Sequence, residues 1–171
     1  VARKKQYTPM KKIFIIRHAK SSWEHPGLKD FERPLNERGL RDAPLMGKRL
    51  KDMGAAPDLI ISSPATRAFG TAQFFAQALD YTTEIIVEPT LYVAEPADFI
   101  RLIQKLDNSL SEVFIFGHNP TITDLVNHYS DQTISNVPTC GVALLEAEIG
   151  DWEAFVQATV RVRHFLYPKM F

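Results

Sequence analysis

Four short apolar runs punctuate the chain: 12–17 (KIFIIR), 58–62 (DLIIS), 84–88 (EIIVE) and 113–117 (VFIFG). Each is continuously apolar rather than alternating, the pattern of strands covered on both faces of a sheet. Longer segments of helical period lie between them, so the chain reads as βα units around a mostly parallel sheet. Asn36 is placed to cap a helix reaching about Met53, with Pro44 expected to kink it or force a restart after Asp42. Pro64 sits at the first turn of a second helix running to about Leu79. In PADFIRLIQKLD (96–107), Phe99, Leu102, Ile103 and Leu106 fall at helical spacing, and Pro120 opens a further helix to about Tyr129. The tail CGVALLEAEIGDWEAFVQATVRVRHF predicts two strands joined by a turn around Gly150 and Asp151, the second with an exposed face. The predicted fold class is α/β: three layers, a mostly parallel central sheet flanked by helices, and a C-terminal antiparallel strand pair.

The 171 residues suit one domain with a sizeable core. Met10, directly before KKIFII, is a candidate start, which makes 1–9 an N-terminal extension and 10–171 the domain. The 20 basic and 20 acidic side chains cancel, so no global field favours nucleic acid or an anionic membrane. Anion binding must come from a few well-placed cations. The apolar run after the basic N-terminus is too short for a signal-peptide core or a membrane span. With the single Cys140 precluding an internal disulfide, the chain reads as cytoplasmic.

In parallel α/β sheets, ligands bind beyond the carboxyl ends of the strands. The residues there are Arg17, His18, Ala19 and Lys20 after the first strand, and Ser62, Ser63 and Pro64, then Arg67, after the second. Gly117, His118, Asn119 and Pro120 follow the fourth. Two arginines and two histidines thus fall on one sheet edge. Arginine forks match phosphate oxygens, helix N-termini add backbone N–H donors, and a histidine can attack phosphorus. The flanking cations would keep that imidazole neutral. Two histidines could instead hold a metal, but no third ligand is evident: Asp124 and His128 follow His118 along its own helix.

The words RHAKSSW, ERPLNERG, SSPATRAFGTA and FGHNP, in that order, resemble the histidine phosphatase superfamily, and most closely its short SixA-type phosphohistidine phosphatases. The resemblance covers 12 to about 147. It implies a phosphoglycerate mutase-like fold, no cofactor and no metal. It also implies a transiently phosphorylated His18, phosphate-binding Arg17 and Arg67, and a second histidine, His118, on the phosphoryl group. Many relatives carry an acidic proton donor after the third strand; in VEPTLYVAEP the matching position is Val93 or Thr90, with Glu88 and Glu95 displaced. Glu88 is the candidate acid, with a surface carboxylate as the alternative reading. A site lacking a strong acid suits a phosphoramidate, whose imidazole leaves neutral once protonated.

Lys20, Ser21, Arg33 and Asn119 are candidate substrate contacts, while Trp23 and Phe31 either pack the 20–35 loop or form a platform. The expected function is a phosphatase working through phosphohistidine on His18, with protein phosphohistidine as its substrate. Alternatives are a small-molecule phosphomonoesterase with Glu88 or Glu95 as acid, or a phosphate-binding adaptor without turnover. The expected partner is a phosphorylated protein or small phosphorylated substrate, not nucleic acid and not a membrane.

Overall fold

A computed structural model describes residues 7–171. The expected extension lies largely outside these residues; of its described part, Pro9 offers its carbonyl to Ile149 N. The sheet has six strands: β1 (Met10–Arg17), β2 (Leu59–Ser62), β3 (Ile86–Val87), β4 (Glu112–Gly117), β5 (Val142–Glu148) and β6 (Val160–Leu166). Their order is β3-β2-β4-β1-β5-β6. The first four are parallel, and β5 and β6 join as antiparallel strands. The mostly parallel sheet and the C-terminal antiparallel pair are therefore as expected.

Helices cover both faces. On one, Ile13, Ile15, Val113 and Ile115 pack with Phe99 and Ile103 of α3 (Pro96–Gln104) and Ile122, Leu125 and Val126 of α4 (Thr121–Tyr129). On the other, Phe14, Ile16, Ile60, Phe114 and Phe116 pack with Met46 and Leu50 of α1 (Glu37–Asp52) and Ala72 and Phe75 of α2 (Thr66–Ala78). Alternate residues of β1 thus enter opposite cores, which is why the run from Ile13 to Ile16 is apolar at every position.

Four details differ from expectation. Pro44 lies inside an unbroken α1. The carbonyl it cannot bond belongs to Leu40, on the exposed side, and packing of Ala43, Met46 and Leu50 holds the helix through that lost bond. The third strand shrinks to Ile86 and Val87, half-exposed at the sheet edge. The helix after Pro64 begins two residues later, with Ala65 as its N-cap. The predicted turn at Gly150 is a longer connection, 149–159, containing a short 3-10 helix at Trp152–Ala154.

The Asn36 cap is as expected, its side chain accepting from Gly39 N at 3.0 Å. Gly39 itself lies against the backbone of Lys20: a Cβ there would stand 2.2 Å from the Lys20 carbonyl oxygen. Only glycine lets the start of α1 press this closely on the segment that follows His18.

Candidate active site

Strand β1 ends at Arg17, and the chain is pinned at once. His18 N donates to Gly117 O at 3.1 Å, and Cys140 N donates to His18 O at 3.0 Å. Ala19 N donates to Thr71 Oγ1 at 2.9 Å. The His18 ring is then fixed by a 2.7 Å hydrogen bond between its Nδ1 and the carbonyl of Ala19. A carbonyl can only accept, so Nδ1 carries the proton and Nε2 keeps its lone pair. The His118 ring lies 5.2 Å away, centroid to centroid. The two strand ends therefore do bring both imidazoles together.

Burial holds both rings neutral: it is the main cause pushing His18 down to about 3 and His118 to about 4. Arg67 and Arg17 act in the same direction on both rings, and His118 also acts on His18. The cations expected to set the protonation state contribute, but desolvation leads. The sign has a consequence for stability. In an unfolded chain a histidine titrates near 6.5. Between that value and the depressed native values, the unfolded state binds more protons, so stability rises with pH. It should be lost progressively as pH falls from about 6.5 towards 4. In thermal melts, His18→Gln should show a shallower decline over this window than wild type; equal slopes would contradict a buried neutral His18.

Arg67, in the first turn of α2, is buried and held by a residue the sequence did not single out. Its Nη1 donates to the backbone oxygen of Asp30 at 2.7 Å and its Nη2 to Asp30 Oδ2 at 3.0 Å. Asp30 opens a 3-10 turn (Asp30–Glu32) within the polar loop 20–35. The same Oδ2 accepts from the Tyr92 hydroxyl at 2.7 Å, and Arg33 Nε reaches Oδ1 at 3.2 Å. The Tyr92 hydroxyl first, then Arg67, hold the Asp30 carboxyl below its ordinary value. The phenol is correspondingly pushed up by Asp30 and keeps its proton.

Asp30 grips the Nη1/Nη2 edge of the guanidinium, which leaves the Nε/Nη2 edge for another acceptor. Arg67 Nε, Arg17 Nε and His118 Nδ1 are buried and without a hydrogen-bond partner among the described residues. Arg17 is anchored through Nη1 to Val137 O at 2.8 Å. The far nitrogen of His118, Nε2, shares a 2.7 Å hydrogen bond with Ser63 Oγ. Each buried group left unpaired costs about 1–3 kcal/mol, so all three would be stabilised by an added hydrogen-bond partner.

The remaining candidates fall out differently. Lys20 lines a groove together with Arg17. Ser21 is buried and forms an isolated bridge with Leu35 that closes the loop base. Arg33 stacks on the Trp23 ring at 3.4 Å and pairs with Asp30, which makes it a brace of the loop that carries Asp30. Phe31 packs edge-on against Tyr92 at 5.1 Å. Asn119 braces the helix start and the 136–137 segment. Its amide donates to Asn136 Oδ1 and Val137 O, and its oxygen accepts from Thr123 N and Oγ1. Both ends of the side-chain amide are thus engaged with the fold. Glu88 likewise caps the turn Pro89–Leu91, accepting from Thr90 N and Oγ1 through one carboxylate oxygen. Glu95 lines an outer cleft beside His118. Asp30, Tyr92 and the pairing of Ser63 with His118 were not legible beforehand. Asp30 and Tyr92 are 62 positions apart in irregular segments, with no periodicity or motif spacing to link them.

A profile of the histidine phosphatase superfamily (branch 1) matches residues 13–92, which contain the first three of the four motifs, with FGHNP lying beyond them. An uncharacterized chloroplast protein of Arabidopsis thaliana is 31% identical over 152 residues, covering 84% of this chain and 69% of that one. A crystal structure from Agrobacterium tumefaciens, assigned as the phosphohistidine phosphatase SixA, is 30% identical with a TM-score of 0.79. It spans 94% of this chain and 99% of its own. The protein histidine phosphatase SixA in complex with tungstate superposes with a TM-score of 0.79 at 21% identity, over 93% and 98% of the two chains. With sequence and fold agreeing over nearly the whole length, the chain belongs to the histidine phosphatase superfamily and, within it, to the SixA type.

Proposed function

We propose that this protein is a phosphohistidine phosphatase that passes the phosphoryl group through His18 and releases it to water. One observation carries the reading: three buried, unpartnered nitrogens belong to Arg17, Arg67 and His118, the side chains whose charge or ring acts on a neutral imidazole whose free nitrogen is Nε2. A tetrahedral oxyanion would satisfy all three donors at once. For His118, this requires Ser63 to donate to Nε2 so that Nδ1 carries the proton.

In the first step the Nε2 lone pair of His18 attacks phosphorus, and the bond from phosphorus to the substrate nitrogen breaks. The leaving imidazole, already protonated at its other nitrogen, departs neutral. Water then attacks the phosphorus on His18, one of its protons is lost to solvent, and inorganic phosphate leaves with the His18 lone pair restored. The arginines stabilise charge on the equatorial oxygens; a cation about 4 Å from such a charge is worth roughly 4 kcal/mol at an effective dielectric of 20.

Two features favour phosphohistidine over an alkyl phosphate. Expelling an alkoxide calls for a proton donor, and Glu88 is engaged as a turn cap. The Tyr92 phenol is held in its protonated form by Asp30. Glu95, beside His118 in the outer cleft, is the group a phosphomonoesterase reading would have to use. Steady-state profiling separates the two. Phosphohistidine peptides should be turned over with higher kcat/KM than sugar phosphates; the reverse order would overturn the proposal.

A further inference from the structure

Arg17 belongs to two places. Besides lowering the pKa of both histidines through its charge, it forms one wall of a groove of about 580 Å³. The groove runs over the exposed side of α1 to the C-terminal 3-10 turn at Pro168–Met170. Arg17, Lys20, Arg38, Arg41 and Lys169 line it, against one acidic side chain, Asp42. Asp42 is buried and already paired, with Arg41 at 3.2 Å and Arg38 at 3.8 Å. Lys20 and Lys169 have no ion pair among the described residues. In a protein whose charges sum to zero, this concentration of one sign is local. The cations crowd enough that Arg38 lowers the Arg17 pKa, second only to burial. Such mutual repulsion is relieved by an anionic guest.

The groove is not purely polar. Leu45, Pro138, Tyr167 and Phe171 lie among the cations. Its volume is in the range of ligand sites, well beyond a single phosphate. We infer that this groove docks an acidic polypeptide segment next to the phosphorylated residue, with carboxylates on Lys20, Arg38, Arg41 and Lys169 and an apolar side chain among Leu45, Tyr167 and Phe171. The inference rests on the phosphohistidine reading for its setting and deepens it: the substrate would be chosen by the acidity of its flanks as well as by its phosphoryl group. Arg17 would couple the two, since a chain held in the groove begins where the reactive site ends.

Binding and turnover test the inference separately. A labelled, unphosphorylated peptide rich in Asp and Glu, with one aromatic residue, is titrated with the full-length protein by fluorescence anisotropy, beside a neutral peptide of equal length. The acidic peptide should bind more tightly, and weaken steeply with salt as exposed charge contacts are screened. The double variant Arg41→Glu, Lys169→Glu should weaken binding about tenfold or more while leaving turnover of a small aryl phosphate within about twofold of wild type, because neither side chain touches the phosphoryl site. Equal binding of acidic and neutral peptides, or binding unchanged in the double variant, would overturn the inference. So would displacement of the peptide by micromolar pyrophosphate through the same two residues, which would make the groove a small-anion subsite. Intact, variant-sensitive peptide binding with no turnover of any phosphohistidine peptide would instead sink the proposed function and leave the docking groove standing.

Discussion

His18→Ala should abolish hydrolysis of every phosphorylated substrate and leave the fold intact. The side chain sits beyond the end of β1, where its ring bonds only the adjacent Ala19 carbonyl among the described residues. The main-chain bonds that pin the segment, from His18 N to Gly117 O and from Cys140 N to His18 O, do not need an imidazole. Removing a buried ring that is costly to protonate should even reduce the acid sensitivity of the fold. The chemistry loses its nucleophile, and no neighbour can replace it. His118 Nε2 is occupied by Ser63 Oγ. Cys140 is buried, with its thiol pushed far up by desolvation, so it holds almost no thiolate. The expected loss is at least about 10³-fold in kcat, the scale on which removal of a catalytic nucleophile is felt. Circular dichroism and thermal melts at neutral pH should match wild type. Residual activity above a few per cent would remove His18 from the nucleophile's role.

Arg67→Ala should cost about 10²- to 10³-fold in kcat/KM, as expected for deleting one preorganised donor aimed at developing negative charge. The more informative variant is Arg67→Lys. A lysine keeps the charge but has no second edge. The guanidinium gives its Nη1/Nη2 edge to Asp30 and leaves Nε unpaired, the edge the proposed mechanism assigns to the anion. One ammonium cannot hold Asp30 and the oxyanion in the same two-edged way. Loss of a single hydrogen bond to a charged group is worth roughly 1.5–3 kcal/mol, so the lysine enzyme should sit at least about tenfold below wild type and above the alanine enzyme. Both variants should also free the 20–35 loop, because Arg67 and Tyr92 are what tie Asp30 to the body of the protein. Equal kcat/KM for Arg and Lys would contradict the shared-fork geometry.

How far the site could be read beforehand depended on what held each residue in place. Arg17, His18 and His118 were legible because they terminate continuous apolar runs. Such runs form buried strands, and parallel strands point their carboxyl ends at one edge. Arg67 was legible because a proline and a short connection fix where α2 starts. The network on the other side of the arginine was not. Asp30 acts through both its backbone oxygen and its carboxylate, from a loop with neither period. Its partner Tyr92 comes from a second irregular segment, so only the folded chain brings them together. Two of the polar candidates are engaged by the fold for a shared reason. Asn119 and Glu88 lie at the right edge, but polar side chains at the starts of helices and turns are drawn to free backbone N–H groups, and both are consumed as caps. Pro44 does not force the expected restart because a sixteen-residue helix held by its buried face does not stop for one missing bond.

The most direct test of the account is to find where the phosphoryl group rests during turnover. The enzyme is mixed with a phosphohistidine peptide carrying isotopically labelled phosphorus, quenched within milliseconds in alkali, where phosphohistidine survives, and digested for tandem mass spectrometry. The account predicts label on a single residue, His18, attached through Nε2, rising before inorganic phosphate appears and absent in His18→Ala. Label on His118 or on any other side chain, or full turnover with no labelled protein at any time, would contradict it.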